Sequence, residues 1–504
     1  MMQPKHSICL LICISLLALI TAESSAQLRY KIAYATYLGG SGGEQLREVI
    51  PLPDGSVLVG GQTSSTDLPT TEGVVQPAYA GDDPALGHPG VYGGDCFLVR
   101  LSADGREILG ATYFGGSKQE RNVYGMALDK QDNVIITSGT RSTDLPTTPG
   151  CFQPGYGGGA TDWFVAKLSP DFKQLLWCTY IGGSGDGMPR GGLTLDENDN
   201  VYVVGGTASS DFPTTSDVLQ SALKGTRDVA LVKLKPDGSD LVFSTLIGGD
   251  GSDNTIMGVR ADKAGNSYVA GHTQSADFPL IVGAAQSELG GESDCFIAKI
   301  SSDGSRLIYS TYLGGSENEF AEHQPRLAAD GTLLLTGVTA SLDFPTTPGA
   351  FQRNLKGKTD GFITRLSADG RKLVFSTLLG GSGGDFWLMP TLDDSGRIFV
   401  VGQTESRDFP VTPNALQTTY GGGRGDGVLA VLNADGSELL YATYLGGSSG
   451  EMIRSLALGQ DGEIYLVGNT SSQDFPITPD SAQTKLGGTV DSFVVKLTLE
   501  RKGK

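Results

Sequence analysis

Residues 32–38 read IAYATYL and run directly into Gly39-Gly40. Variants of the phrase precede Gly115, Gly182, Gly248, Gly314, Gly380 and Gly446, and after two longer opening steps the interval between first glycines is constant. A fixed period of this length marks a repeat architecture. Two more landmarks keep the same count. Asp-Leu-Pro or Asp-Phe-Pro occurs at Asp67, Asp144, Asp211, Asp277, Asp343, Asp408 and Asp474, trailing the glycine by an offset that never varies by more than one. An Asp opens an apolar run at Asp95, Asp162, Asp228, Asp294, Asp360, Asp426 and Asp491. The one markedly long step, from Gly39 to Gly115, comes from an insertion, residues 82–92 (DDPALGHPGVY), which reads as a surface loop.

Each unit holds four short runs that read as strands. In the third they are residues 191–195 (GGLTL), 201–206 (VYVVGG), 229–234 (VALVKL) and 241–247 (LVFSTLI). Period-2 alternation and β-branched or aromatic residues suit a pleated sheet. Turns such as Pro236-Asp237-Gly238 and the acidic stretch at 196–200 (DENDN) suit tight hairpins. Four antiparallel strands, seven times over, predict an all-β, seven-bladed β-propeller. An open solenoid would need capping units. Here the ends are complementary: the chain begins with a lone fourth-type strand at 32–38 and closes on a third-type strand at 493–497 (FVVKL). The N-terminal strand is therefore expected to complete the last blade and close the ring.

Residues 1–26 read as a secretory signal peptide. Lys5 precedes an unbroken apolar run (SICLLICISLLALI), and Ser24 and Ala26 suit cleavage after Ala26. This predicts export, to the periplasm or the cell surface, and leaves residues 27–504 as one propeller domain. Cys96, Cys151, Cys178 and Cys295 remain; they read as buried small side chains, with a Cys151–Cys178 bridge as the alternative. The chain has 73 glycines among 504 residues and a formal net charge of −19. That charge repels phosphate backbones and anionic membrane surfaces, which argues against a nucleic-acid partner. No later stretch approaches the length of a membrane-spanning helix.

Three phrases are distinctive: YSTYLGGS at 309–316, DFPTTPGAFQ at 343–352 and DSFVVKL at 491–497. Together they resemble the bacterial SBBP β-propeller repeat family, over about residues 32–497. The resemblance implies exported or cell-surface bacterial propellers, and it transfers no catalytic residues. Asp250 departs from the usual Ser, and Val428-Leu429 from the aromatic start of a third strand.

Residues repeated around a ring read as scaffold. The Gly-Gly pairs are expected where the outer strand of one blade crosses to the inner strand of the next, with close backbones and positive φ. The Asp of Asp-Phe-Pro is expected to cap its turn, with the Phe or Leu filling a gap between blades. Arg424-Gly425-Asp426 spells an adhesion tripeptide, but Asp426 is the repeat Asp. An acid stands at a fixed place after the first glycine, at Glu44, Glu120, Asp253, Glu319, Asp385 and Glu451, with Asp186 one place early in the third unit. Seven carboxylates near the channel mouth would make a cation site, suited to Ca²⁺ through its oxygen ligands, or would each accept hydrogen bonds locally. Just beyond them the residues diverge: Arg47, Tyr124, Arg190, Met257, His323, Trp387 and Arg454. Around a mouth they suit a sugar or peptide, or they fill the channel.

The chain carries no HExxH or P-loop, and its Gly-x-Ser-x-Gly matches belong to the repeated Gly-Gly-Ser phrase. The expectation is therefore a non-enzymatic binding or adhesion scaffold with a protein or carbohydrate partner at the cell surface, monomeric and with no cofactor except Ca²⁺ at the acids. The alternatives are a structural envelope or matrix protein and a carbohydrate-active enzyme using the mouth carboxylates.

Overall fold

The alternating runs become strands because each sheet is covered on both faces by its neighbours. A computed structural model describes residues 28–82, 93–187, 190, 192–255, 257–321 and 323–500. The leader at 1–26 and most of the 82–92 insertion, His88 included, lie outside them. Seven antiparallel sheets follow one another along the chain. We number the blades 1–7 by their inner strands. Blade 1 runs Glu44–Pro51, Val57–Thr63, Asp95–Leu101 and Ile108–Phe114 from the axis outward. The inner strands of blades 4 and 5 are each split in two. Among the described residues no helix is long and apolar enough to cross a membrane, and the four described cysteines are free thiols, so no Cys151–Cys178 bridge forms.

Seven apolar clusters hold the blades together, one at each seam. The phenylalanines of Asp-Phe-Pro are buried in these seams, as expected: Phe278 stacks on Phe296 at 4.5 Å and Phe475 on Phe493 at 4.5 Å. The outer Asp-Gly turns show why glycine is needed there. Gly105 has φ 70°, and a Cβ on it would lie 2.3 Å from the Tyr34 ring of blade 7. Gly370 repeats this over Tyr309.

Blade 7 closes the ring. Tyr30–Leu38 pairs antiparallel with Asp491–Leu499, from Tyr30 opposite Leu499 to Leu38 opposite Ser492. The seam with blade 1 then buries Tyr34, Leu38, Tyr465 and Val494 against Leu46, Val57, Phe97 and Tyr113. The Tyr37 hydroxyl donates to the Ser472 carbonyl at 2.7 Å, tying the N-terminal strand to a blade made at the other end of the chain.

Deleting residues 28–38 removes five buried apolar side chains, Tyr30, Tyr34, Ala35, Tyr37 and Leu38, and the buried Thr36. At about 1.5–3 kcal/mol for each large one, the loss is on the order of the whole net stability of a domain. The expected outcome is loss of the cooperative melt and aggregation through the bared edge of Asp491–Leu499, read by calorimetry and light scattering. A soluble monomer melting as the full chain does would contradict ring closure.

Candidate functional site at the channel mouth

Every inner strand begins in a loop that the repeat residues bind tightly. In blade 1 the Gly40 amide donates to Glu44 Oε2 at 3.0 Å, and the hydroxyls of Thr63 and Ser65 donate to Oε1 at 2.7 and 2.5 Å. Glu319 receives the same three donors from Gly315, Thr339 and Ser341 at 2.8, 2.5 and 2.6 Å. The arrangement recurs at Glu120, Asp253, Asp385 and Glu451. The donors come from a Thr-x-Ser at the end of each second strand, a pattern the sequence analysis passed over. The Asp before each third strand binds backbone amides of its own loop, as Asp95 does with Ala80 at 2.8 Å. Asp426 of the Arg-Gly-Asp triplet is likewise buried.

Three expectations change here. The Gly-Gly pairs do not have positive φ. They are glycine because a Cβ on Gly115 would lie 2.1 Å from Glu120 Oε2, and one on Gly116 would lie 2.5 Å from Ser142 Cβ. The Asp of Asp-Phe-Pro caps not its own turn but the Gly-Gly-Ser loop, where Asp343 accepts from the Ser316 amide and hydroxyl, both at 2.9 Å. Asp186 does not belong with the other acids. It is exposed and accepts from the Ala160 amide at 2.6 Å, while Gly187 takes the carboxylate's place opposite Thr207. With no acid to bind, the Ser209 hydroxyl donates to the Gly185 carbonyl at 2.9 Å.

The six buried carboxylates do not fit a shared calcium site. Both oxygens of each are engaged by protein donors. Among the described residues no three acidic, His or Cys side chains come together in a way that could hold a metal ion. Each acid instead neighbours the repeat Asp of the blade before it: a Cβ on Gly39 would lie 2.5 Å from both Glu44 Oε2 and Asp491 Cγ. Burial, joined by that neighbouring acid, pushes these carboxyls up against the pull of their donors. Glu44 rises to about 7, Glu120 to about 8 and Asp385 to about 6, while Asp95 rises to about 7 through burial and the charge of Asp82.

Beyond the carboxylate each inner strand bulges. In blade 1 Leu46 pairs with Gly61 and Glu48 with Gly60, leaving Arg47 as an extra residue. Blade 7 leaves Arg454 in the same way. In blade 6 the three steps from Phe386 to Met389 face two on the partner strand. Blades 2–5 carry two extra residues; in blade 4 the five steps from Asn254 to Val259 face three from His272 to Val269. The sequence registers the difference. From the first glycine to the Asp of Asp-Leu/Phe-Pro, blades 2–5 are one residue longer than blades 1, 6 and 7. The odd residue in the spacing is thus the second bulge residue. A bulge re-aims side chains, and these carry the seven divergent residues. Met257 and Trp387 sit in the left-handed region, with φ 61° and 54°, a strain that side chains other than glycine rarely carry.

The structure brings these residues together. The Arg47 guanidinium lies 4.8 Å from the Tyr124 ring centroid, Tyr124 packs on Met257, and the Met257 amide donates to the Arg190 carbonyl at 2.9 Å. The Arg454 guanidinium lies 5.3 Å from the Trp387 ring centroid. His323 is buried, and burial with the charges of Arg47 and Arg454 holds it down at about 3. Gln324 of blade 5 donates to the Leu193 carbonyl of blade 3 at 3.2 Å, Asn122 to the Gln45 carbonyl at 3.0 Å and Arg326 to the Pro390 carbonyl at 2.8 Å. Arg47, Tyr124, Met257, His323 and Arg454 are buried and fill the channel, whereas Arg190 and Trp387 stay partly exposed. Sequence reasoning missed three more mouth residues. Phe320 is 37% exposed and meets His272 edge-on at 5.2 Å, and Phe386 lies 5.3 Å from Trp387. Phe320 and Phe386 each follow the repeat acid of their own blade, and that register would have found them.

The raised carboxyls set a pH dependence. Between the ordinary carboxylate range near 4 and folded values of about 6–8, the native state keeps protons that the unfolded chain has released. Stability therefore falls as pH rises through that window. His272 and His323, held down at about 4 and 3, act oppositely between those values and the usual 6.5, but they are two against thirteen raised carboxyls. The melting temperature is expected to be several degrees higher at pH 5 than at pH 8, and Glu120→Gln is expected to flatten the slope. Millimolar Ca²⁺ is expected to leave the melt unchanged; an upward shift would restore a cation site at the acids.

The SBBP beta-propeller repeat family matches residues 176–213 and 242–279. No curated protein sequence matches the chain. Among solved structures, a protein of unknown function from Dyadobacter fermentans is similar at 11% identity and a TM-score of 0.44, over 94% of this chain and 99% of that one. Quinohemoprotein alcohol dehydrogenase from Comamonas testosteroni is similar at 11% identity and a TM-score of 0.44, over 95% and 78%. BamB from Moraxella catarrhalis is similar at 12% identity and a TM-score of 0.37, over 92% and 99%. The two family matches start at equivalent places, Leu176 and Val242, and cover corresponding parts of consecutive units in a sevenfold series, so the chain carries the SBBP beta-propeller repeat in these units.

Proposed function

We propose that the protein is an exported, non-enzymatic binding propeller that holds a protein or carbohydrate of the cell surface at the mouth of its channel. The bulge carries this reading. Around it the scaffold repeats from blade to blade, yet the residues it turns toward the axis are of five kinds, Arg in blades 1, 3 and 7 and a different residue in each of the others. A residue needed only for packing can recur seven times, whereas recognition needs different side chains at defined places. Arg190, Phe320, Phe386 and Trp387 supply a planar cation and aromatic faces that remain within reach of solvent.

A structural role in the envelope or matrix is the second reading. The side chains crossing the channel, such as Gln324 reaching the Leu193 carbonyl, favour it because they brace the ring from within. A carbohydrate-active enzyme would need a reachable pair of carboxyls, and the six inner-strand acids are buried beneath their donors.

A glycan and peptide array on the purified protein tests the reading. Binding is expected to one class of ligand, and to be lost in Trp387→Ala and Arg190→Ala while both variants keep the parental melting temperature. Binding untouched by both changes would move the site away from the mouth. A blank array would favour the structural role, and release of reducing sugar or unsaturated products from polysaccharides would favour the enzyme.

A further inference from the structure

The partly open side of the mouth is a continuous arc over blades 3–6, and its chemistry is uneven. Blade 3 contributes Arg190, blade 4 His272, blade 5 Phe320, and blade 6 Phe386 and Trp387. On the remaining side, Gln45 of blade 1 is buried at the place that Phe320 and Phe386 occupy in theirs. The rings fall in two pairs, Phe320 with His272 at 5.2 Å and Phe386 with Trp387 at 5.3 Å. The buried Arg454 of blade 7 backs the Trp387 ring with its guanidinium. Exposed aromatic faces at a polar rim suit a ligand that is itself apolar on one face and hydroxylated at its edge, which describes a pyranose ring. His272 Nδ1 is buried with no hydrogen-bond partner among the described residues.

Charge narrows the ligand further. Arg190 makes no ion pair with any described residue. It lies near His272, whose imidazole is held neutral by burial and by the charge of Arg190. A neutral imidazole does not compete for an anion, and a guanidinium binds carboxylate through two parallel N–H donors. The molecule as a whole is strongly acidic, at −19, and its rim carries the Asp of every Asp-Phe-Pro. A long polyanion is repelled there, whereas one carboxylate on an otherwise neutral sugar is not.

We infer that the channel mouth binds an oligosaccharide carrying an isolated uronate, with a sugar ring against Phe320, Phe386 and Trp387 and its carboxylate on Arg190. The inference rests on the binding reading above and names its ligand class. Tryptophan fluorescence reports on it, because Trp163 and Trp177 are buried and Trp387 is the partly exposed one of the three. The probes are a disaccharide of glucuronate and a neutral sugar, the same disaccharide with its carboxyl reduced to the alcohol, polygalacturonate, and an acetylated acidic tripeptide.

The glucuronate disaccharide is expected to change the emission saturably, and the reduced one to bind about tenfold more weakly, as for loss of one charged hydrogen-bonded contact. Arg190→Gln is expected to erase that difference without moving the melting temperature, and polygalacturonate to bind no better than the disaccharide. Equal affinity for the acid and its reduced form, or saturation by the peptide alone, would overturn the inference. So would silence toward every sugar; if array ligands were still lost in Trp387→Ala, the binding reading would survive it.

Discussion

Everything at the centre of this molecule depends on the antiparallel pairing of Tyr30–Leu38 with Asp491–Leu499. Each blade buries both faces against neighbours, so no blade is stable on its own account, and a ring lacking one seam exposes two. Without the N-terminal strand the last blade would lose Tyr34 and Leu38 from its seam with blade 1 and would bare the edge of its third strand. Closing so large a loop costs little more entropy than closing a short one, because that cost grows only with the logarithm of length. The price falls on kinetics instead, since the longest-range contact in the chain must form before the ring is whole.

Within the ring, the carboxylate at the head of each inner strand fixes where the strand starts. Burying a carboxyl beside a second carboxyl is unfavourable, and the raised values at Glu44 and Glu120 register it. Three donors per acid offset the cost and leave one geometry in which all are satisfied. Blade 3 shows how local the device is. Gly187 stands in for the acid, Ser209 turns to the Gly185 carbonyl, and the strand still pairs with Thr207. The blade then relies on its neighbours: a Cβ on Gly192 would lie 2.2 Å from the Met257 carbonyl oxygen of blade 4.

The strands, the sevenfold period and the closure were legible in the sequence because each rests on a repeated local signal. What escaped was whatever the repeat disguises. Asp186 passed for a member of the acidic series because one place of slippage was tolerated, and only the pairing of Gly187 with Thr207 shows that the position matters. The Asp of Asp-Phe-Pro was read against its own turn, while its partner is the Ser of the preceding Gly-Gly-Ser, as Ser41 is for Asp67 and Ser316 for Asp343. The Gly-Gly pairs suggested unusual φ, but the requirement is room for a neighbouring carboxylate, which no local rule reveals. The bulge was in plain view as two alternative spacings, yet a one-residue difference acquires meaning only when strand register shows where the residue goes.

That difference also makes a sevenfold object asymmetric. Blades 6, 7 and 1, with one extra residue, set Trp387, Arg454 and Arg47 on one side of the channel; blades 2–5, with two, send Tyr124, Arg190, Met257 and His323 from the other. Register is restored after every bulge, so a substitution within it leaves the strand pairing on either side untouched. The carboxylate on one side and the resumed strand on the other isolate a segment of a few residues from the fold. The partly exposed side chains there, Arg190 and Trp387, can change with little cost to the ring, and the strained backbone of Met257 and Trp387 persists because both flanks are held. The architecture thus separates what must repeat from what is free to differ, and places the second at the one position that all seven blades share.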